Sequence, residues 1–169
     1  AESNAVAEVL GKYSSKHRGT SIAIISDSIS NLYDMLRNYE VDLAVVEGKI
    51  QDANINSLLL DTDSLMLVVS NNSPLAKRSM VTINELKKQP LILRSPSSGT
   101  RNLFAAHLES NNISLEDFNV ILEVDNIATI KDLIRRDIGV SILAQSACLD
   151  ELKKGKITVL PIENLSMIR

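Results

Sequence analysis

Short apolar runs separated by stretches of helical periodicity constrain this chain more than any other feature. Ile22-Ala23-Ile24-Ile25 is followed by Leu32, Met35, Leu36 and Tyr39 at i, i+3, i+4 and i+7, one face of an amphipathic helix, and then by Leu43-Ala44-Val45-Val46. Strand, helix, strand is a βαβ unit, which implies a parallel sheet buried on both faces. Before it, Val6, Val9, Leu10 and Tyr13 stand at helical spacing, closed by Gly19.

The alternation continues downstream. Ile55–Leu60 and Leu65–Ser70 read as strands, antiparallel neighbours or a sharp change of direction about Asp61-Thr62-Asp63. Asn71-Asn72-Ser73-Pro74 is a turn, and a short helix follows near Ile83–Lys88. Leu91-Ile92-Leu93 is a strand, and Ser95-Pro96-Ser97-Ser98-Gly99 is a loop of breakers. A helix over Thr100–Glu109 turns Leu103, Phe104 and Leu108 inward, and Val120, Leu122 and Val124 alternate as a strand. Ile127, Ile130, Leu133 and Ile134 form another helical face, capped by Asp125 or Asn126. Val140–Leu143, Ser146–Lys153 and Ile157–Leu160 add strand, helix and strand. The class is α/β, with no internal repeat or low-complexity tract.

The 169 residues suffice for one core or two small lobes, and with no Trp and two Phe the core is built from Leu, Ile and Val. A formal charge of −3 and a pI near 5.4 argue against a nucleic-acid surface, because neutralising phosphates needs clustered Lys and Arg. The doublets Lys87-Lys88, Arg135-Arg136 and Lys153-Lys154 fall at expected helix ends, where they suit the helix dipole. One cysteine, Cys148, permits no internal disulfide and reads as a buried inert thiol. Without a leader-like segment or an apolar run of membrane-spanning length, the expectation is a cytoplasmic protein that meets no membrane.

Catalytic and metal signatures are missing. His17 and His107 lie far apart on expected helices, neither with a partner at metal-ligand spacing. Gly99 stands alone rather than in a phosphate loop, and there is no G-x-S-x-G elbow. The expectation is a chain with no catalytic residue, no metal and no cofactor. A binding constellation remains: Ser97, Ser98, Gly99 and Thr100 at the mouth of a helix. Short hydroxyls and unpaired N–H groups there suit a carboxylate, sulfate or phosphate. The same residue types make an ordinary N-cap, and the stretch alone leaves both readings open.

An ordered series of segments then resembles the LysR-type transcriptional regulators. Tyr39-Glu40-Val41-Asp42-Leu43-Ala44-Val45-Val46-Glu47-Gly48 resembles their G-E-L-D-L-A-I-V-x-G, and Leu67-Val68-Val69-Ser70 followed by Ser73-Pro74-Leu75-Ala76 resembles their L-V-V-P…H-P-L-A. Glu85-Leu86, Pro90-Leu91-Ile92, Ser97-Ser98-Gly99-Thr100-Arg101, Glu123-Val124, Gly139-Val140-Ser141-Ile142-Leu143 and Gly155-Lys156-Ile157…Leu160-Pro161 continue it over residues 5 to 161. Two departures are plain: Asp137 stands where the family often has a glycine, and Ala144 where it usually has a proline.

The resemblance implies the effector-binding domain of such a regulator, with a type 2 periplasmic-binding-protein-like fold of two Rossmann-like lobes. Lobe one would be 1–67 plus 160–169 and lobe two 68–159, joined by hinge strands Leu67–Ser70 and Val159–Ile162. A small polar or anionic effector between the lobes would meet Glu47, Gly48, Ser97, Ser98, Gly99, Thr100, Asn126 and Gln145. Family dimers imply an interface of Val6, Val9, Leu10 and Tyr13 with Ile127, Ile130, Leu133 and Ile134, the alternative being that both stripes face their own sheets, and a homotetramer for the full-length protein. DNA would be reached only through a winged helix-turn-helix outside these residues, as would a first strand and a last helix, so the chain reads as an excised piece. A transporter's solute-binding protein is the alternative sharing the fold. An enzyme of this fold would need an acid/base set that the sequence lacks.

Overall fold

In the computed structural model, residues 4–46 and 52–169 are described. The chain divides into two compact units, 1–60 and 61–169.

The first unit carries two helices. Helix α1 is Asn4–Lys16, and its apolar stripe stays open: Val6 is 42 % exposed, Val9 64 % and Tyr13 48 %. Helix α2 is Ile29–Arg37; Ser28 caps it by accepting from the Asn31 N–H at 3.3 Å, and Leu32, Met35 and Leu36 are half-buried. Tyr39, expected on that face, lies past the helix end at φ 59° and is exposed. The three expected strands here do not form among the described residues. Ile22–Ile25, Leu43–Val46 and Ile55–Leu60 join no ladder, and Ile24, Leu43 and Leu58 are largely exposed. Parallel strands need cover on both faces, and these segments stay largely exposed among the described residues.

The second unit is a five-stranded mixed sheet with helices on both faces. The strands are β1 (Leu65–Ser70), β2 (Leu91–Leu93), β3 (Val120–Glu123), β4 (Val140–Ala144) and β5 (Ile157–Leu160), in spatial order β3-β2-β4-β1-β5. β2 runs parallel to β3 and β4, whereas β1 runs antiparallel to β4 and β5. β1 therefore pairs with β4 and β5, which removes the antiparallel pairing with Ile55–Leu60 and leaves a change of direction about Asp61-Thr62-Asp63 as the other expected outcome.

Period-two alternation sorts the core into two layers. Leu67 and Val69 of β1, Leu91 and Leu93 of β2, and Val140 and Ile142 of β4 pack on one face with α3 (Ile83–Lys87) and α4 (Gly99–Ser110), through Leu86, Phe104 and Leu108. Val68, Ile92 and Leu143 face the other way, toward Ile130 and Ile134 of α5 (Ile127–Arg135), with α6 (Leu149–Lys153) beside them. Ile130 and Ile134 are 0 % exposed. This corrects their expected place in a dimer interface: helical spacing identified an apolar face, and that face covers the chain's own sheet. Ile127 and Leu133 are half-buried against the same layer.

β3 is an edge strand with a single neighbour, so Val120, Ile121 and Leu122 all stay 37–40 % exposed instead of alternating. Residues 61–67 and 160–169 are tied to each other within the second unit, the Asp63 and Arg169 backbones exchanging two hydrogen bonds and the Leu65 N–H bonding the Met167 carbonyl. Each basic doublet spans a helix end and its cap: Lys87 and Lys88 on α3, Arg135 and Arg136 on α5, Lys153 and Lys154 on α6. Asp137, in place of the family's glycine, has φ 59°, a left-handed conformation that Asp tolerates better than most side chains. Gly139 is needed for close approach, since a Cβ there would lie 2.7 Å from the Pro90 carbonyl oxygen.

Candidate functional site

Because β2, β3 and β4 are parallel, their C-terminal ends share one edge of the sheet, where ligands of open α/β sheets are held. Arg94 and Ser95 follow β2, Val124 and Asp125 follow β3, and Gln145 follows β4. Helices α4 and α5 start from the same edge, one on each face. Ser98 is the N-cap of α4, but its hydroxyl accepts the Arg101 N–H at a long 3.5 Å. Asn126 caps α5 more firmly, its Oδ1 accepting the Thr129 N–H at 3.0 Å. Of the expected site residues, Ser98 and Thr100 are buried, whereas Ser97, Gly99 and Asn126 are exposed.

Side chains from the two loops tie this end together. Ser95 donates to Asp125 Oδ1 at 3.0 Å and lies 3.2 Å from the Ser97 hydroxyl. Arg101 Nη1 bonds Glu123 at 2.9 Å and the Arg94 carbonyl at 3.0 Å, fixing the first turn of α4 to β3. Arg94 Nη2 is 3.6 Å from Asp125 Oδ1, and Arg94 Nε is buried without a hydrogen-bond partner. From the C-terminal segment, Arg169 Nη1 reaches Thr100 Oγ1 at 3.5 Å, while its Nη2 lies 3.6 Å from Asp63. The end thus concentrates donors: two helix N-termini and the guanidinium groups of Arg94 and Arg169, offset by Asp63 and Asp125. Such a concentration of donors suits an oxyanion.

The structure unites Ser97–Thr100 with Asn126 through the Ser95–Asp125 link. Gln145 instead borders a cavity of about 780 Å³ that is also lined by Asp63, Ser146, Met80 and Leu149. Glu47 and Gly48 lie outside the described residues. Sequence reasoning missed Arg94, Arg101, Glu123 and Arg169 as members of this end. For Arg94 a signal was present, since a residue directly after a buried parallel strand stands at the ligand edge.

The remaining candidates lie apart. His107 is on α4 and His17 just past α1, its ring 4.2 Å from that of Tyr13. No group of three or more metal-ligating side chains occurs among the described residues. Cys148 is buried, and that burial pushes its thiol up to about 11. On the far face of the sheet, Lys131 joins Glu151 at 2.8 Å and the Ala147 carbonyl at 3.0 Å, holding α5 to α6.

The fold agrees with that of the relatives. Residues 1–169 match the family described as the LysR substrate binding domain. The chain belongs to that family. This LysR domain is 31 % identical over 134 residues to the uncharacterized HTH-type transcriptional regulator YeiE of Escherichia coli K12, covering 78 % of the chain and 44 % of that protein. To the transcriptional activator CmpR of a Synechocystis strain it is 25 % identical over 162 residues, covering 96 % and 52 %. The chain spans about half the length of the curated relatives it matches. Its fold matches the Synechocystis CcmR regulatory domain in complex with 2-PG at TM-score 0.80, with 23 % identity, covering 97 % of this chain and 77 % of that one. The effector binding domain of QuiR in complex with shikimate matches at TM-score 0.72, with 22 % identity, covering 99 % and 78 %. No helix among the described residues is long and apolar enough to cross a membrane.

Proposed function

We propose that this LysR domain senses a small anionic effector at the shared N-terminal end of α4 and α5. The observation that carries the reading is that two helix N-termini, the nearly buried Ser98 and Thr100 hydroxyls, and Arg94 converge on one sheet edge. Two structural relatives support the chemical class, since 2-phosphoglycolate and shikimate both carry an oxyanion. In this reading the domain is a non-catalytic module of a cytoplasmic DNA-binding regulator. DNA contact belongs to a winged helix-turn-helix outside these residues, and the full-length protein is a homotetramer built from dimers. The open α1 stripe of Val6, Val9 and Tyr13, with Leu10 half-buried beside them, supports a copy-to-copy contact there. The test is a thermal-shift panel of small carboxylates and phosphate monoesters, 2-phosphoglycolate and shikimate among them. A hit whose stabilisation is lost in Ser98→Ala and Thr100→Ala supports the reading. A hit unaffected by both places the effector elsewhere.

A further inference from the structure

Two arginine–carboxylate pairs link the loops after β2 and β3, and they differ in kind. Arg101–Glu123 is a strut: its Nη1 sits 2.9 Å from the carboxylate and also bonds a backbone carbonyl at 3.0 Å. Arg94–Asp125 is slack. Its charges stand 3.6 Å apart, beyond hydrogen-bond reach, and the Asp125 oxygen nearest Arg94 is bonded instead by the Ser95 hydroxyl at 3.0 Å. The partners also differ in solvation, because the Arg94 side chain is 19 % exposed and that of Asp125 is 77 % exposed. Arg94 Nε is enclosed and has no acceptor. The Arg94 guanidinium is thus not saturated from within the protein, and the planar fork of a partly exposed guanidinium fits two oxygens of a carboxylate or phosphate side by side. Asp125 can leave for water at little cost, since exposed ion pairs contribute little.

We propose that Asp125 is a built-in counter-ion for Arg94, displaced when the anionic group of an effector takes the guanidinium. The proposal rests on the α4–α5 end being the effector site and adds how that site discriminates among anions. Asp125 sets the threshold and Arg94 makes the selective contact. Glu123, tied to Arg101, has no share in the exchange.

The experiment is an amide NMR titration of the full 169-residue chain with inorganic phosphate and, separately, with acetate, on wild type, Arg94→Gln, Asp125→Asn and the double variant. Asp125→Asn is expected to tighten binding about two- to fivefold, the worth of an exposed pair. Arg94→Gln is expected to weaken it roughly tenfold or more, the loss of a charge-assisted contact. In the Arg94→Gln background Asp125→Asn changes nothing, because Asp125 acts through Arg94. Arg94→Lys keeps the charge without the fork; it retains part of the affinity and guards against a folding defect in Arg94→Gln. Unchanged or weakened binding in Asp125→Asn overturns the displacement, and so does an equal gain in the double variant, which would mark a mere field effect. The underlying site reading fails separately, if phosphate and acetate shift no amides in Ser98–Arg101 or Asn126–Thr129 of any variant.

Discussion

Ile134→Ala distinguishes a core helix from an interface helix. Ile134 is 0 % exposed and packs within the layer of Val68, Ile92, Leu143, Cys148 and Ile157. Truncation removes three carbons, about 2.4 kcal/mol of transfer free energy at ~0.8 kcal/mol each. The sheet behind is rigid and closes poorly over the void, so a cavity penalty brings the loss to about 3–4 kcal/mol. Urea denaturation of the chain should show the midpoint falling with an unchanged slope, and sedimentation should show an unchanged mass. A loss below about 1 kcal/mol accompanied by a drop in mass would refute the core assignment and return α5 to an interface. Val9→Glu is the counterpart, because Val9 is 64 % exposed. It should alter stability by no more than ~0.5 kcal/mol and, if a second copy covers α1, convert a dimer to monomer.

Other consequences follow from single residues. Thr100→Ala should weaken binding of an anionic effector by roughly one to two decades while costing the fold under about 1 kcal/mol, since Ser98 and not Thr100 is the cap; isothermal titration and melting read the two separately. Gly139→Ala should destabilise by about 1–3 kcal/mol in thermal unfolding, because the new Cβ would meet the Pro90 carbonyl oxygen at 2.7 Å. The Cys148 thiol, raised from 9.0 to about 11 by burial, should alkylate at pH 8 about a hundredfold more slowly in the native than in the urea-unfolded chain. Since folding holds the neutral thiol, this group's contribution to stability is complete below about pH 9 and is lost as pH rises through the window between 9.0 and about 11.

The sheet of the second unit was legible because its strands are apolar and covered by helices of clear period. Leu65–Ser70, Leu91–Leu93, Val140–Ala144 and Ile157–Leu160 all lie where the apolar runs fall. The same signal misled at Ile22–Ile25 and Leu43–Val46, since an apolar run states a need for burial and not whether neighbours are present to meet it. It also misled at Ile130 and Ile134, because a stripe does not name the surface that it covers. At the candidate site, Ser98 and Asn126 were visible as caps, a local pattern. Arg94 and Asp125 form a pair between loops 31 residues apart, and only the parallel pairing of β2 with β3 brings them together.

The central claim is that the α4–α5 end holds the effector, and mapping a bound effector by amide NMR tests it most directly. The first carboxylate or phosphate monoester found to raise the melting temperature would be titrated into the labelled chain. The account predicts saturable shifts concentrated on Ser98–Arg101 and Asn126–Thr129, with a midpoint that Thr100→Ala moves to roughly ten- to a hundredfold higher effector concentration. Shifts confined to the cavity beside Met80, Ser146 and Leu149, with the two helix N-termini silent, would contradict it.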